Sequence, residues 1–201
     1  MDYENENSNQ GYHLEELSNS DYEIKDGEPD IIGWDVRNNG GGKLGEVDEL
    51  IFDPQARKVR YIVLNMEGND LDLEDERRVL IPIGIANLHT DKDEVVVPLI
   101  TELQLAQLPP YESCPKLTPE LEMNIRRAIE GEAGSTAPYD HPQFYEHEHF
   151  DEDRFYNRGN DSTIVADEAS RNGDERAART GRIVERLKRS DKDEPIDPTA
   201  S

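Results

Sequence analysis

The sequence has almost no cysteine, a single residue in 201, Cys114. One thiol cannot form an internal disulfide, so a fold held together by intrachain disulfide bonds is excluded. The cytoplasm, where thiols stay reduced, is the expected location. Cys114 stands between Ser113 and Pro115 with no histidine motif attached to it, so a nucleophilic role is not expected.

Long apolar stretches are also missing. No run approaches the roughly 18 apolar residues that are needed to cross a bilayer, so no membrane insertion is expected. Residues 1–17 contain neither a basic start nor an apolar segment. We therefore expect no secretory signal.

Positive charge is scarce. The chain has 22 Lys and Arg against 46 Asp and Glu, a formal net charge of −24. Binding to nucleic-acid phosphates needs a cationic surface, so direct binding to DNA or RNA is not expected. The same imbalance disfavours anionic lipid surfaces and favours basic protein partners.

Apolar residues are few, 34% of the chain, and they concentrate in one stretch, Asp30–Pro98. This predicts one small core with long polar flanks. We expect an acidic mobile arm over residues 1–28, a β domain over 29–111 and a helical extension over 112–131. Residues 132–201 are expected to be an acidic and largely disordered tail, because they carry too little apolar surface to offset the entropy of ordering.

Within the central stretch, apolar clusters alternate with turn-forming residues at the spacing of short strands. Six strands are predicted, over residues 31–36, 44–52, 59–66, 79–83, 88–89 and 95–97. The pattern loses its phase near Asp48 and Glu49, which predicts a bulge. A small antiparallel β-barrel, closed or partly open, is therefore the expected fold in a mainly β chain.

Two short helices are predicted after the strands. Thr101 and Thr118 are good N-cap residues for helices that reach Leu108 and about Ile129. Leu103, with Leu105 or Leu108, is expected to plug one end of the barrel. A weak basic helix is predicted over residues 174–189, and the arm around residues 14–24 is expected to pack on the barrel.

Histidines and acids cluster after residue 138. The candidate metal ligands are three histidines with acidic neighbours: His141, His147, His149, Asp140, Glu146, Glu148 and Asp151. One interpretation is a divalent metal site, which requires three or four ligands in a fixed geometry. The other, which the composition favours, is a solvated polar tail.

Three further charged groups have both a functional and a structural interpretation. The acidic loop could hold calcium or a basic partner, or simply be solvated; it comprises Asp70, Asp72, Glu74, Asp75 and Glu76. Asp48, Glu49 and Asp53 suit acid–base chemistry, or turn capping and surface exposure. The basic island Arg176–Arg189 suits RNA, a membrane surface or pairing with the acidic tail. The structural interpretation is favoured each time, and no catalytic, cofactor-binding or metal residue and no cofactor is expected.

An ordered set of short motifs spans residues 30 to 111. It consists of Ile32-Gly33, Gly42–Val47, Phe52-Asp53, Lys58–Val63, Arg78–Ile83, Val95–Pro98 and Leu108-Pro109 before Tyr111. This set resembles the PRC-barrel family, named for the cytoplasmic domain of the H subunit of the purple-bacterial photosynthetic reaction centre. The same barrel occurs in a ribosome maturation factor that binds a ribosomal protein, and in many small bacterial proteins.

The resemblance implies a barrel that is used for binding or assembly. The reaction-centre subunit carries a membrane-spanning helix before its barrel, and the maturation factor carries another domain there; this sequence shows only the acidic arm. We expect a non-enzymatic interaction or adaptor module with a protein partner. The alternatives are an assembly factor for a ribosomal or RNA-processing complex and a metal buffer in the tail. A homodimer is also compatible with the sequence.

Overall fold

The computed structural model describes residues 13–71, 73, 77–89, 91–112, 117–131, 139–156 and 184–186. Its strands are β1 Glu15–Glu16, β2 Tyr22–Ile24, β3 Asp35–Asn38, β4 Lys43–Asp53, β5 Lys58–Asn65, β6 Arg78–Pro82, β7 Asn87–Leu88, β8 Glu94–Val97 and β9 Val184–Arg186. Its α-helices are α1 Glu102–Gln107, α2 Pro119–Glu130, α3 His141–Phe144 and α4 Glu152–Tyr156.

One sheet forms the body of the molecule. Its strand order is β6-β5-β4-β3-β8-β7. Strand β3 pairs with the N-terminal part of β4, and β1 pairs with the C-terminal part of β4 on the same edge. The prediction of a mainly β fold is confirmed. Neighbouring strands run antiparallel except β3 and β8, which are parallel. The prediction that all strands of the barrel are antiparallel is therefore wrong for this pair. A parallel pair is feasible here because the chain makes four further strands between them, well beyond a tight hairpin.

The sheet is partly open. Its two ends, β6 and β7, are consecutive in the chain and are joined by a 3₁₀ turn, Ile83–Ile85. The last pair between β5 and β6 joins Tyr61 to Pro82, whose ring nitrogen carries no hydrogen to donate. The strand therefore bends away at Pro82 and resumes as β7 against β8. The partly open form of the prediction is confirmed, and the closed form is not observed.

The long strand β4 carries the curvature. Its register with β5 shifts between Val47 and Glu49, which confirms the predicted bulge. Gly45 has φ +148°, and a Cβ there would overlap the Asn65 carbonyl oxygen of β5. Only glycine permits this close approach of the two backbones. Most side chains of β4 and β5 are buried, including consecutive residues that point to opposite faces of the sheet, and they form the core of the domain.

The first predicted strand begins later than expected. Residues 31–34 form a turn in which the Trp34 amide donates to the Ile31 carbonyl at 3.0 Å, and Gly33 has φ +83°. Ile31 is nevertheless fully buried. The apolar pattern identified a core residue correctly, but the positive φ of Gly33 ends any extended conformation before β3.

Both helices after the sheet begin where the sequence predicted. The Thr101 side chain accepts from the Gln104 amide in a capping box, and Thr118 accepts from the Leu121 amide. Leu105 and Leu108 are buried, as expected, but Leu103 is 67% exposed. The prediction for Leu103 was wrong because residues two apart lie on different faces of a helix.

The N-terminal arm packs on the domain through β1, with Leu14 and Leu17 buried. Strand β2 pairs with β9, so the helix predicted over residues 174–189 is wrong at Val184–Arg186. A short isolated helix is marginal in water, and the free edge of β2 offers hydrogen bonds that such a helix lacks. Among the helices of the described residues, none has the length and apolar character that crossing a bilayer requires.

Candidate functional site

The segment 139–156 lies over the place where the sheet is open. Its 3₁₀ turn Glu148–Phe150 and helix α4 pack against the turn Ile83–Ile85. At Gly84 a Cβ would overlap the Glu148 carbonyl oxygen and lie 2.7 Å from the His149 carbonyl carbon. The two backbones are therefore in direct contact, which requires glycine on the sheet side.

By its composition, this segment belongs to the predicted acidic tail. The sequence feature that indicates an ordered segment is the set of aromatic residues among its acids and histidines. Four of these residues are buried: Phe144, Tyr145, Phe150 and Phe155. Tyr145 and Phe150 meet edge to face at 4.8 Å, and Phe150 meets Tyr61 of β5 in the same way at 5.3 Å. Aromatic side chains bury enough area to order a short segment of polar average composition.

A buried carboxylate accepts a hydrogen bond from the edge of β5. Val59 lies beyond the last β5–β6 pair, so its amide has no partner from β6. The Glu152 carboxylate of α4 accepts that amide hydrogen. Burial raises the pKa of Glu152 to about 7, although the Val59 amide and the charges of Lys58 and Arg60 act in the opposite direction.

A second buried carboxylate joins α2 to both the sheet and the segment 139–156. Glu122 is 3% exposed and accepts hydrogen bonds from the hydroxyls of three tyrosines: Tyr61, Tyr139 and Tyr145. Burial raises the pKa of Glu122, and the three hydroxyls partly reverse that rise. Three hydroxyl donors satisfy the hydrogen bonding of the buried carboxylate, so the cluster links α2 to β5 and to the segment 139–156.

A cluster of one glutamate and two histidines lies at the end of α2. Glu130 is the last residue of that helix, and its Oε1 atom is 3.4 Å from His147 Nε2 and 3.3 Å from His149 Nδ1. The two imidazole centroids are 4.3 Å apart. One ligand atom from each residue lies within 4.8 Å of the others, so these three side chains have the geometry to hold a proton or a metal ion.

The surroundings of this cluster fix the carboxylate. Arg126 Nε donates to Glu130 Oε2 at 3.0 Å, while the buried Oε1 atom accepts no hydrogen bond. Burial lowers the pKa of His149, and neighbouring His147 lowers it further, so its neutral form is favoured. A crevice beside the histidines has room for about one water molecule.

The structure brings together two of the three predicted histidines. His147 and His149 converge, but their acidic partner is Glu130, seventeen positions before His147, and not one of the predicted neighbours. The side chain of His141 lies outside the described residues. Adjacency in sequence drew attention to Glu146 and Glu148, whereas the contact with Glu130 depends on how the segment folds back onto α2.

The strand carboxylates have structural partners. Asp53 Oδ1 accepts from the amides of Gln55 and Ala56, which is the expected turn cap, and its Oδ2 lies 3.3 Å from Arg60 Nη2. Glu49 is buried and accepts from the Ser18 hydroxyl. Asp48 faces Arg78 at 3.1 Å. Each carboxylate therefore has its own structural partner, and the expectation of surface exposure is wrong for Glu49 and Asp53, which are buried with theirs.

The remaining predicted groups are described only in part. Asp70 Oδ2 accepts the Lys43 amide at 2.6 Å, which ties the acidic loop to β4. The other four acids of that loop lie outside the described residues, as does Cys114. Of the basic island, the structure describes only Val184–Arg186, in strand β9.

Comparison with known protein families identifies the central part of the chain. Residues 27–104 match the model of a family described as "PRC-barrel domain". The matched range begins just before the buried Ile31 and ends within α1, so it contains β3 to β8. It excludes α2 and the segment 139–156, which therefore lie on the matched domain as additions to it.

Proposed function

Because residues 27–104 are a PRC-barrel domain, we propose that the chain is a non-enzymatic interaction module that binds a protein partner. The observation that carries this proposal is a pair of exposed leucines where the domain meets α1. Leu99 is 68% exposed and Leu103 67% exposed. They bracket the cap residue Thr101: Leu99 lies in the turn before it, and Leu103 lies in the first turn of α1.

Two exposed leucines on either side of a helix cap suit a partner's apolar pocket. Isolated apolar side chains are common on protein surfaces, but these two are the most exposed large apolar residues in the described part of the chain. They are only four positions apart and stand beside buried Leu105, whose packing fixes the helix. A segment whose backbone is ordered before binding loses less entropy when it binds, which favours its use as an anchor.

The charge of the chain favours a basic partner. With a formal net charge of −24, the chain attracts cationic surfaces over long range and repels acidic ones. We propose that the partner places an apolar pocket over Leu99 and Leu103 and surrounds it with Lys or Arg. Glu102 lies between the leucines and is exposed to such residues.

A binding role also agrees with the small size of the crevice at the histidines. Its room for about one water molecule is too small for an organic substrate. The buried carboxylates nearby are held by tyrosine hydroxyls or by a backbone amide, so they are committed to packing. These observations support a non-enzymatic protein, and we propose a cytoplasmic location for it.

The test is affinity capture of the full chain from its own cells, comparing wild type with the Leu99→Ser/Leu103→Ser double variant. We expect the variant to lose at least about tenfold of the captured partner, since tenfold in affinity is about 1.4 kcal/mol and burying one leucine side chain contributes roughly 1.5–3 kcal/mol. The matched control is Gln107→Ser, which changes an exposed residue on the same helix. Equal capture by wild type and double variant would contradict the proposal.

Two other outcomes are informative. Ribosomal proteins among leucine-dependent partners would support the alternative role, assembly of a ribosomal or RNA-processing complex. Light scattering of the purified chain tests self-association directly: a dimer that dissociates in the double variant would identify the partner as a second copy of this chain.

A further inference from the structure

The cluster at the end of α2 has the ligand types and spacing of a transition-metal site. Zinc bound by nitrogen and carboxylate oxygen has ligand distances near 2.1 Å, so neighbouring ligands of a tetrahedron are about 3.4 Å apart. Glu130 Oε1 lies 3.4 Å from His147 Nε2 and 3.3 Å from His149 Nδ1. Two of the three edges of a tetrahedral face are already at the required length.

The Glu130 carboxylate is oriented before any ligand binds. Its Oε2 atom is held by Arg126 Nε, one helical turn earlier on α2. Its Oε1 atom is buried and accepts no hydrogen bond, although it faces both imidazoles. Both imidazole nitrogens lie within 3.4 Å of it without forming a hydrogen bond, and a cation placed between the carboxylate and the two rings would compensate its buried charge.

We propose that Glu130, His147 and His149 bind one Zn²⁺ ion, which fastens the segment 139–156 to the end of α2. Two imidazoles and one carboxylate are a ligand set that zinc accepts while a fourth position stays open. Hard cations such as Ca²⁺ and Mg²⁺ prefer six or more oxygen ligands, and only one of these three side chains supplies oxygen. The side chains of Glu130 and His149 are about 15% exposed and that of His147 31%, so water can reach the fourth position.

Zinc binding changes one hydrogen bond in the site. The His149 amide donates to His147 Nδ1 at 3.3 Å, so the proton of neutral His147 is on Nε2. Zinc at Nε2 requires that proton on Nδ1, and the bond from the His149 amide must then open. The binding site therefore has a spectroscopic marker, because the amide resonance of His149 shifts when the metal binds.

The experiment is calorimetric titration of the metal-free full chain with Zn²⁺. We expect one ion per chain, and affinity at least about tenfold weaker in Glu130→Gln and in His149→Ala, since even residues that only orient a zinc ligand have effects of that size. The matched control is His13→Ala, which removes an exposed imidazole from the N-terminal arm and leaves the affinity unchanged.

A second readout distinguishes the site from weak binding by the many surface acids. Co²⁺ in a tetrahedral site gives an intense visible absorption, whereas Co²⁺ on scattered carboxylates does not. We expect the band in wild type and in His13→Ala, and its loss in His149→Ala. Equal zinc affinity in wild type and Glu130→Gln, or no cobalt band in wild type, would overturn the proposal; neither result bears on the leucine pair. Circular dichroism of each metal-free variant verifies that it is folded.

Discussion

At the scale of single residues, Glu152 links the pH of the solution to the fold. Its pKa is raised to about 7 from an ordinary 4.5, chiefly by burial. A carboxyl whose pKa is raised on folding contributes stability that is fully present below the unfolded pKa and is lost as pH rises through the folded pKa. For Glu152 that window runs from about pH 4.5 to pH 7.

The variant Glu152→Gln keeps the oxygen that accepts the Val59 amide and removes the charge. We expect its free energy of unfolding to exceed that of wild type above pH 7 by about 3 kcal/mol, the equivalent of the shift in pKa. The excess should vanish towards pH 4.5. Urea unfolding of both proteins across this range measures it.

The matched control for this prediction is Glu146→Gln, which removes an exposed carboxylate from the same segment. Its effect on the free energy of unfolding should be small, about 0.5 kcal/mol or less, because the side chain is exposed. A Glu152→Gln difference that stays constant from pH 5 to pH 8 would show that Glu152 is ionised in the folded protein throughout.

The residue pattern predicted the role of Asp53 but not that of Glu122. Asp53 was identified as a turn cap because its partners are two and three positions away. The sequence does not reveal Glu122 as a buried site because its tyrosine partners come from distant positions, 61 on β5 and 139 and 145 in the segment 139–156. Local hydrogen bonding can be read from spacing, whereas a cluster assembled by tertiary packing cannot.

At the scale of elements, the contact between two 3₁₀ turns holds the added segment on the domain. Gly84 has an ordinary φ, so alanine is compatible with its backbone, but the added methyl group would overlap the Glu148 carbonyl. We expect Gly84→Ala to lower the free energy of unfolding by about 1–3 kcal/mol, as overpacking does. Segment 139–156 should also become sensitive to limited proteolysis.

The control is Gly40→Ala in the exposed hairpin, where an added Cβ meets only the flexible Asn38 side chain at 3.3 Å. This variant should keep the wild-type pattern of proteolysis. If Gly84→Ala left the segment equally protected, the two turns would have room to separate without releasing it, and the direct backbone contact would not be required.

Element prediction succeeded where the signals were local. The caps Thr101 and Thr118 and the bulge in β4 follow from residue type and phase, and the structure has all three. The parallel pairing of β3 with β8 and the strand β9 could not be predicted in this way. Both depend on which distant edge remains available once the rest of the sheet has formed.

At the scale of the whole molecule, the dominant feature is the large excess of negative charge. A formal net charge of −24 repels itself more strongly in the compact state than in the expanded one. We expect the melting temperature to rise as NaCl increases from about 0.01 M to 0.15 M, because the screening length falls from about 30 Å to 8 Å. Differential scanning calorimetry at constant pH measures the change.

Potassium fluoride at matched ionic strength is the control for this prediction, since screening depends on ion concentration and not on the identity of the anion. A melting temperature that fell with salt would mean that favourable ion pairs outweigh the repulsion. The buried pair Arg60–Asp53 is less affected by salt than the exposed pairs, so it should contribute little to either trend.

The bend at Pro82 has a consequence for synthesis on the ribosome. Val59 obtains its hydrogen-bond partner from Glu152, which is 93 positions later in the chain. At translation rates of about 5–20 residues per second, the interval between the two is roughly 5–20 s. The nascent domain therefore emerges with an exposed strand edge and must remain unassociated for that time. Synonymous codons that slow translation between these positions would lengthen the exposure without altering a single amino acid of the product.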